Sequence, residues 1–241
     1  MVGDGGWPGA AVFDMDGLLI DSEPLWCQAE MRIFGRLGVP LTAERCRETR
    51  GMVVSEVAHH WYGRFGWEGP TPDAVAAEIV DAMATLLATR VVTKAGALDA
   101  LTVCRRRGLD LAVASSSPRR LIDAAVGRLG LAPWFSVLHS AQDEPAGKPD
   151  PAVFLTTASL LGLDPGRCVV FEDSPAGVRA ATAAGMVCVA VPEDHVATAN
   201  GGPVGFESAD LILGSLEEVD DDLWVRLAPR GPDAGVRDRP R

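Results

Sequence analysis

Ala10-Ala11-Val12-Phe13-Asp14-Met15-Asp16-Gly17 is the stretch that decides the fold. An apolar run of strand length ends in two carboxylates two residues apart, and acids at the exit of a buried strand are expensive to place without a task. On a strand, residues i and i+2 share one face. Where the chain turns at Gly17, one acid can face a substrate while the other swings alongside it. That layout suits an aspartyl nucleophile with an acid/base partner.

Similar short apolar runs recur at Leu109–Ala114, Ser136–His139, Cys168–Phe171, Val187–Val191 and Leu211–Leu213. Amphipathic stretches alternate with them: Gly96–Arg107, Arg119–Leu129, Ala152–Leu161 and Ala176–Ala184. Alternation of this kind predicts an α/β fold, a doubly wound parallel sheet covered by helices on both faces. In such sheets functional groups gather beyond the carboxyl ends of the strands. The Asp14/Asp16 pair, Ser115-Ser116-Ser117 and Glu172-Asp173 each follow a predicted strand, so they are expected to converge.

One interval breaks the rhythm. Far more chain separates Asp16 from Leu109 than the dozen or so residues a βαβ crossover needs. The surplus reads as helices over Leu25–Leu37, Val53–Tyr62 and Asp73–Thr89, with Gly66–Pro72 as a loop. The expected organisation is a core of residues 1–23 and 93–228, a helical cap of residues 24–92, and a disordered tail of residues 229–241 rich in Pro, Gly and charge. An insert directly after the first strand would sit over the site. Ile20–Pro24 and Val92–Gly96 would then be its hinges.

Bulk properties narrow the function. A net charge of −11 over 241 residues gives no basic face for nucleic acid or an anionic membrane surface. No uncharged stretch is long enough to span a bilayer. The five cysteines, Cys27, Cys46, Cys104, Cys168 and Cys188, are odd in number and scattered, so reduced thiols in a cytoplasm are expected. The N-terminus has neither a basic region nor an apolar signal core. The expectation is a monomer with no nucleic-acid or membrane partner.

Four patches carry the chemistry. The first is the Asp14/Asp16 pair. In the second, Val113-Ala114-Ser115-Ser116-Ser117-Pro118, a hydroxyl and backbone N–H groups at a strand end opening into a helix make a phosphate cradle. Ser115 and Ser116 are the candidate contacts, while Ser117 before Pro118 fits a helix N-cap. The third, Gly147-Lys148-Pro149-Asp150-Pro151, holds one of only two lysines in the chain. A lysine ammonium suits a phosphoryl oxygen or an aspartate being phosphorylated, and Asp150 suits a cap. The fourth, Phe171-Glu172-Asp173-Ser174-Pro175-Ala176-Gly177, offers two acids able to complete an oxygen-ligand site for Mg²⁺. Asp173 is the stronger candidate ligand, Glu172 a second, and Ser174 a helix cap. His59 and His60, adjacent on a helix, point about 100° apart and do not chelate one metal together. Trp61, Trp67 and Trp134 read as packing.

The order Asp-x-Asp, strand-end Ser, loop Lys, Glu-Asp resembles the haloacid dehalogenase (HAD) superfamily of phosphotransferases, from Ala11 to about Leu227. Asp14-Met-Asp-Gly-Leu-Leu-Ile-Asp-Ser-Glu-Pro-Leu-Trp26 and the stretch from Trp61-Tyr62 to Gly69-Pro70 are similar to its β-phosphoglucomutase-like subclass. Within it, the 2-deoxyglucose-6-phosphatase (hexitol phosphatase) group is more similar than β-phosphoglucomutase itself. The resemblance implies that Asp14 attacks phosphorus to form an aspartyl-phosphate. Asp16 would protonate the leaving oxygen and then activate water. Ser115 and Lys148 would hold the phosphoryl group. Mg²⁺ would sit on Asp14, the backbone carbonyl of Asp16, and Asp173. The implied activity is Mg²⁺-dependent hydrolysis of a small phosphorylated sugar or polyol.

Departures from relatives refine this. Haloacid dehalogenases lack the magnesium site and second aspartate that Asp16 and Glu172-Asp173 supply. Phosphonatases need a cap lysine, and residues 24–92 contain none. β-Phosphoglucomutase has a histidine ten residues after the second aspartate, where this chain has Trp26, a candidate wall of the substrate pocket. Cap arginines that contact the sugar in related enzymes have no clear match, Val53 and Val54 standing near the expected place. A phosphosugar mutase and a catalytically silent phosphosugar-binding protein are the alternatives.

Overall fold

A computed structural model describes residues 7–49, 52–193 and 204–228; the expected disordered tail, 229–241, lies outside them. The order is β1 (Ala10–Phe13), α1 (Glu23–Arg36), α2 (Ala43–Cys46), α3 (Val54–Phe65), α4 (Pro72–Arg90), α5 (Ala97–Arg106), β2 (Asp110–Ser115), α6 (Arg119–Arg128) and β3 (Val137–Ser140). It continues with α7 (Ala152–Leu161), β4 (Cys168–Glu172), α8 (Pro175–Ala183), β5 (Val187–Ala190), β6 (Leu211–Ile212) and α9 (Leu223–Leu227). The strands form one sheet in the order β3-β2-β1-β4-β5-β6, and every pairing is parallel. This is the doubly wound, Rossmann-like α/β fold that the alternation predicts.

Strand β1 lies between β2 and β4, with Phe13 in register with both Val113 and Phe171. The winding reverses there, so a crevice opens beyond the carboxyl end of β1. Asp14 stands at its mouth. The Phe13 and Phe171 rings stack with centroids 4.7 Å apart, sealing the floor beneath it.

Side-chain alternation divides the core. Ala11, Phe13, Val113 and Phe171 join one apolar cluster that also takes in Leu121, Ile33, Trp61, Ile79 and Met83. Ala10, Val12, Ala114 and Val170 face α7 and α8 through Val153, Phe154 and Val178. The first cluster therefore runs from the sheet through α6 into α1, α3 and α4 without a break. Among the described residues no helix is long and apolar enough to cross a membrane.

Helix ends show what periodicity alone missed. α3 runs on to Phe65 because its apolar stripe continues, Trp61 stacking on Phe65, until Gly66 stops it at φ +61°. Pro72 opens α4 instead of closing the preceding loop, with Thr71 Oγ1 accepting from the Ala74 amide. The short helices α2 and α9 were not foreseen, since four or five residues give no readable period. The segments entering and leaving α1–α4 pair with each other: Asp21 N–H donates to Val92 O and Lys94 N–H to Leu19 O, both at 3.0 Å.

Candidate active site

The strand ends bring the four patches together around one cavity of about 910 Å³, whose wall includes Asp14, Asp16, Ser115, Ser116, Lys148 and Asp173. Asp14 is tied to the neighbouring strand through its N–H, which donates to Phe171 O at 3.0 Å. Its carboxylate accepts from Lys148 Nζ at 2.6 Å. Lys148 also donates to Glu172 Oε1 at 2.6 Å and to Ala114 O at 2.9 Å, so all three of its protons are committed. Burial alone would lower the pKa of this ammonium. The charges of Asp14 and Glu172 outweigh it and hold Lys148 above its ordinary value.

The carboxylates crowd one another around that single cation. Burial pushes Asp14 up to about 7 against the pull of Lys148, with Glu172 and Asp16 adding to the rise. Asp173 is raised well above the ordinary carboxylate range by burial, then by Asp14 and Glu172. Gly17, at φ +78°, lets the chain after the Asp14/Asp16 pair pass close to Asp173, since a Cβ there would lie 2.3 Å from Asp173 Oδ2.

Excess negative charge facing a crevice is what a divalent cation offsets. No group of three or more His, Cys, Asp or Glu side chains among the described residues forms a metal cage on its own. Magnesium is held by one or two carboxylates and completed by other oxygens and water. Asp14 and Asp173 fit such a site.

Glu172 is placed differently from its neighbour. It is fully buried, with Oε1 accepting from Lys148 and Oε2 accepting from the Ser174 N–H and hydroxyl at 3.0 Å. Ser174 Oγ accepts in turn from Gly177 N–H, the cap foreseen for α8. Gly177 permits this contact, because a Cβ there would lie 1.8 Å from Glu172 Oε1.

Around Asp16 the structure corrects the reading of Ser117. α6 starts at Arg119 with Pro118 at the cap position, and Ser117 makes no side-chain cap. Its hydroxyl donates to Asp16 Oδ2 at 2.7 Å, while its own N–H donates to Ser115 Oγ at 3.0 Å. Asp16 Oδ1 accepts from the indole Nε1 of Trp26 at 3.2 Å. Trp26, Val53 and Val54 line the cavity. Asp150 Oδ1 accepts from Ala152 N–H, the first of α7, at 2.9 Å, although Pro151 takes the cap position itself.

Several residues were not singled out by sequence. Ser140 Oγ donates to Ser117 O at 2.7 Å and steadies the serine loop. Glu30, Cys27, Cys46 and Thr49 also line the cavity, and Cys27 Sγ lies 3.0 Å from Cys46 Sγ. Glu30 stands one helical turn from Trp26, a spacing that could have marked it. Nothing in the sequence spacing pairs the two thiols.

Comparison with known proteins agrees with this geometry. The family model described as haloacid dehalogenase-like hydrolase matches residues 8–185. Hexitol phosphatase B of Escherichia coli K12 is 37% identical over 211 residues, covering 87% of this chain and 93% of its own. Validoxylamine A 7'-phosphate phosphatase of Streptomyces hygroscopicus subsp. limoneus is 34% identical over 219 residues, covering 91% and 98%. CbbY from Rhodobacter sphaeroides, solved in complex with phosphate, superposes with a TM-score of 0.75 at 25% identity, covering 88% and 96%. Motif order, strand-end placement and these matches agree: the chain belongs to the haloacid dehalogenase-like hydrolases.

Proposed function

We propose that this hydrolase is a Mg²⁺-dependent phosphomonoesterase that releases phosphate from small sugar or polyol phosphates through an aspartyl-phosphate on Asp14. The observation that carries the reading is the Asp14–Lys148–Glu172 chain, which places a nucleophilic carboxylate beside a cation whose protons are already oriented. Phosphoryl transfer needs positioning and charge neutralisation more than elaborate covalent chemistry.

Each residue then has a task. Asp14 Oδ attacks phosphorus and the P–O bond to the alcohol breaks. Asp16, steadied by Trp26 and Ser117, delivers a proton to the departing oxygen and takes one from the water that later hydrolyses the acyl phosphate. Ser115 and Ser116 hold the phosphoryl oxygens, and Lys148 shifts an N–H donor from Asp14 to them as the phosphoryl group arrives. Magnesium bound by Asp14, the Asp16 carbonyl and Asp173 would supply Lewis-acid neutralisation of the phosphate dianion. Glu172 keeps Lys148 in place and is not a ligand in this reading. Helices α1–α4 act as a cap over the cavity, with the paired segments 20–24 and 92–96 as hinges. The protein works as a cytoplasmic monomer.

Support for a carbohydrate substrate comes from the hexitol and validoxylamine A 7'-phosphate phosphatases it resembles. The test is phosphate release from p-nitrophenyl phosphate and from sorbitol 6-phosphate, with magnesium and with chelator. Asp14→Asn should lower turnover by roughly a thousandfold or more. Turnover of β-glucose 1-phosphate without phosphate release would identify a mutase. No turnover of any ester would identify a binding protein.

A further inference from the structure

Beyond the phosphate end, the cavity holds a carboxylate that the chemistry above does not use. Glu30 is 7% exposed and its Oε2 has no hydrogen-bond partner. Burying a carboxylate oxygen without a donor is costly, and folded proteins rarely keep one without a purpose. Its position is informative. Glu30 follows Trp26 by four residues on α1, so both lie on one face about one helical turn apart, a rise of about 6 Å. Trp26 touches Asp16, the residue that meets the leaving oxygen. Glu30 lines the same cavity one turn along α1 from that contact, and in the phosphatase reading the alcohol portion of a substrate would lie beside it.

We propose that Glu30 reads the leaving group, selecting phosphomonoesters whose alcohol portion is uncharged and rich in hydroxyls over those carrying a second anionic group. The inference rests on the phosphatase reading and adds the alcohol side of the substrate to it. A carboxylate accepts from two hydroxyls at once and repels an anion in the same place. Its surroundings suit that role. Thr49, 3% exposed, gives its proton to Cys46 O at 3.3 Å and keeps its oxygen lone pairs for a ligand hydroxyl. The Cys46 thiol is a hydrogen-bonding neighbour of Glu30, and Cys27 backs it by donating to Cys46 Sγ. Burial, reinforced by the charge of Glu23 and opposed by the Cys46 contact, raises Glu30 to about 7. Hydroxyl donors from a substrate would favour its ionised form.

The experiment compares two esters of matched length, sorbitol 6-phosphate and 6-phosphogluconate, with p-nitrophenyl phosphate as a reporter of the chemistry alone. The wild type should prefer the polyol ester by about thirtyfold or more in kcat/KM, and Glu30→Gln should shrink that preference about tenfold. Hydrolysis of p-nitrophenyl phosphate should stay within about twofold. Glu30→Asp, which keeps the charge but withdraws it, should retain the rejection of 6-phosphogluconate while weakening the polyol ester. An unchanged ratio in both variants, with aryl phosphate hydrolysis intact, overturns the assignment of Glu30. Absence of all hydrolysis in the wild type overturns the phosphatase reading instead. Calorimetric affinities for the two sugar esters would then decide Glu30 separately, and equal affinities in wild type and variants would reject it.

Discussion

Trp26 donates its indole N–H to Asp16 Oδ1 at 3.2 Å, so an aromatic residue of α1 takes part in orienting the carboxylate proposed as the acid/base. The opposite carboxylate oxygen, Oδ2, accepts from Ser117 at 2.7 Å. Asp16 is thereby held between α1 and the serine loop that follows β2. Its rotamer depends on both.

Trp26→Phe keeps most of the aromatic wall and removes the donor. Turnover of alkyl phosphates, whose departing oxygen needs a proton, should fall about tenfold, and that of p-nitrophenyl phosphate should fall less than about threefold. Steady-state kinetics on the two substrate types checks this. Equal losses would assign Trp26 to packing alone.

Asp16→Asn removes the proposed proton donor and leaves the backbone carbonyl proposed for magnesium. Sugar phosphate turnover should fall at least about a hundredfold, aryl phosphate turnover much less, and magnesium affinity should change little. Ser117→Ala should show the same selective pattern at smaller amplitude. Titration calorimetry with magnesium, beside kinetics on both substrates, separates these effects.

Gly177→Ala sets a helix preference against a steric demand. In an exposed helix interior, alanine in place of glycine stabilises by roughly 0.5–1 kcal/mol. Here the new methyl lies 1.8 Å from Glu172 Oε1, so the carboxylate must leave the place where it holds Lys148 and Ser174. Disrupting a buried charge network costs on the order of 3 kcal/mol, which outweighs the helix gain. Urea denaturation should show net destabilisation, with activity reduced at least about tenfold.

Much of this was legible in the sequence because it rests on local rules. Each strand followed from a short apolar run, and Asp14, Ser115 and Asp173 were placed by adjacency to strand ends. What stayed hidden depends on contacts across the chain. Ser117 looked like a cap because Pro118 follows it, yet a partner a hundred residues away at Asp16 took its hydroxyl. Glu172 and Asp173 are indistinguishable as neighbouring acids. The strand's alternation turns Glu172 inward onto Lys148 and Ser174, while Asp173 faces the cavity. Glu30 carried a readable helical spacing to Trp26, but its burial could come only from the packing of α1 and α2.

The same burial gives Glu30 a stability signature that does not depend on activity. Its pKa is about 7 in the folded protein against an ordinary 4.5, with burial the main cause, Glu23 adding to it and Cys46 opposing. A raised carboxyl pKa means the native state binds the proton more tightly than the unfolded chain does. Between pH 4.5 and 7 the native state therefore holds more protons, and this group's contribution to stability falls as pH rises. Below pH 4.5 both states are protonated and the penalty vanishes; above pH 7 it is complete. At about 1.36 kcal/mol per pKa unit, the full penalty is on the order of 3 kcal/mol. Glu30→Gln cannot ionise, so it should melt several degrees above the wild type at pH 8 and match it near pH 4.5. Melting curves of both proteins across that range test this. A gap independent of pH would mean that Glu30 is not the buried, proton-linked group described here.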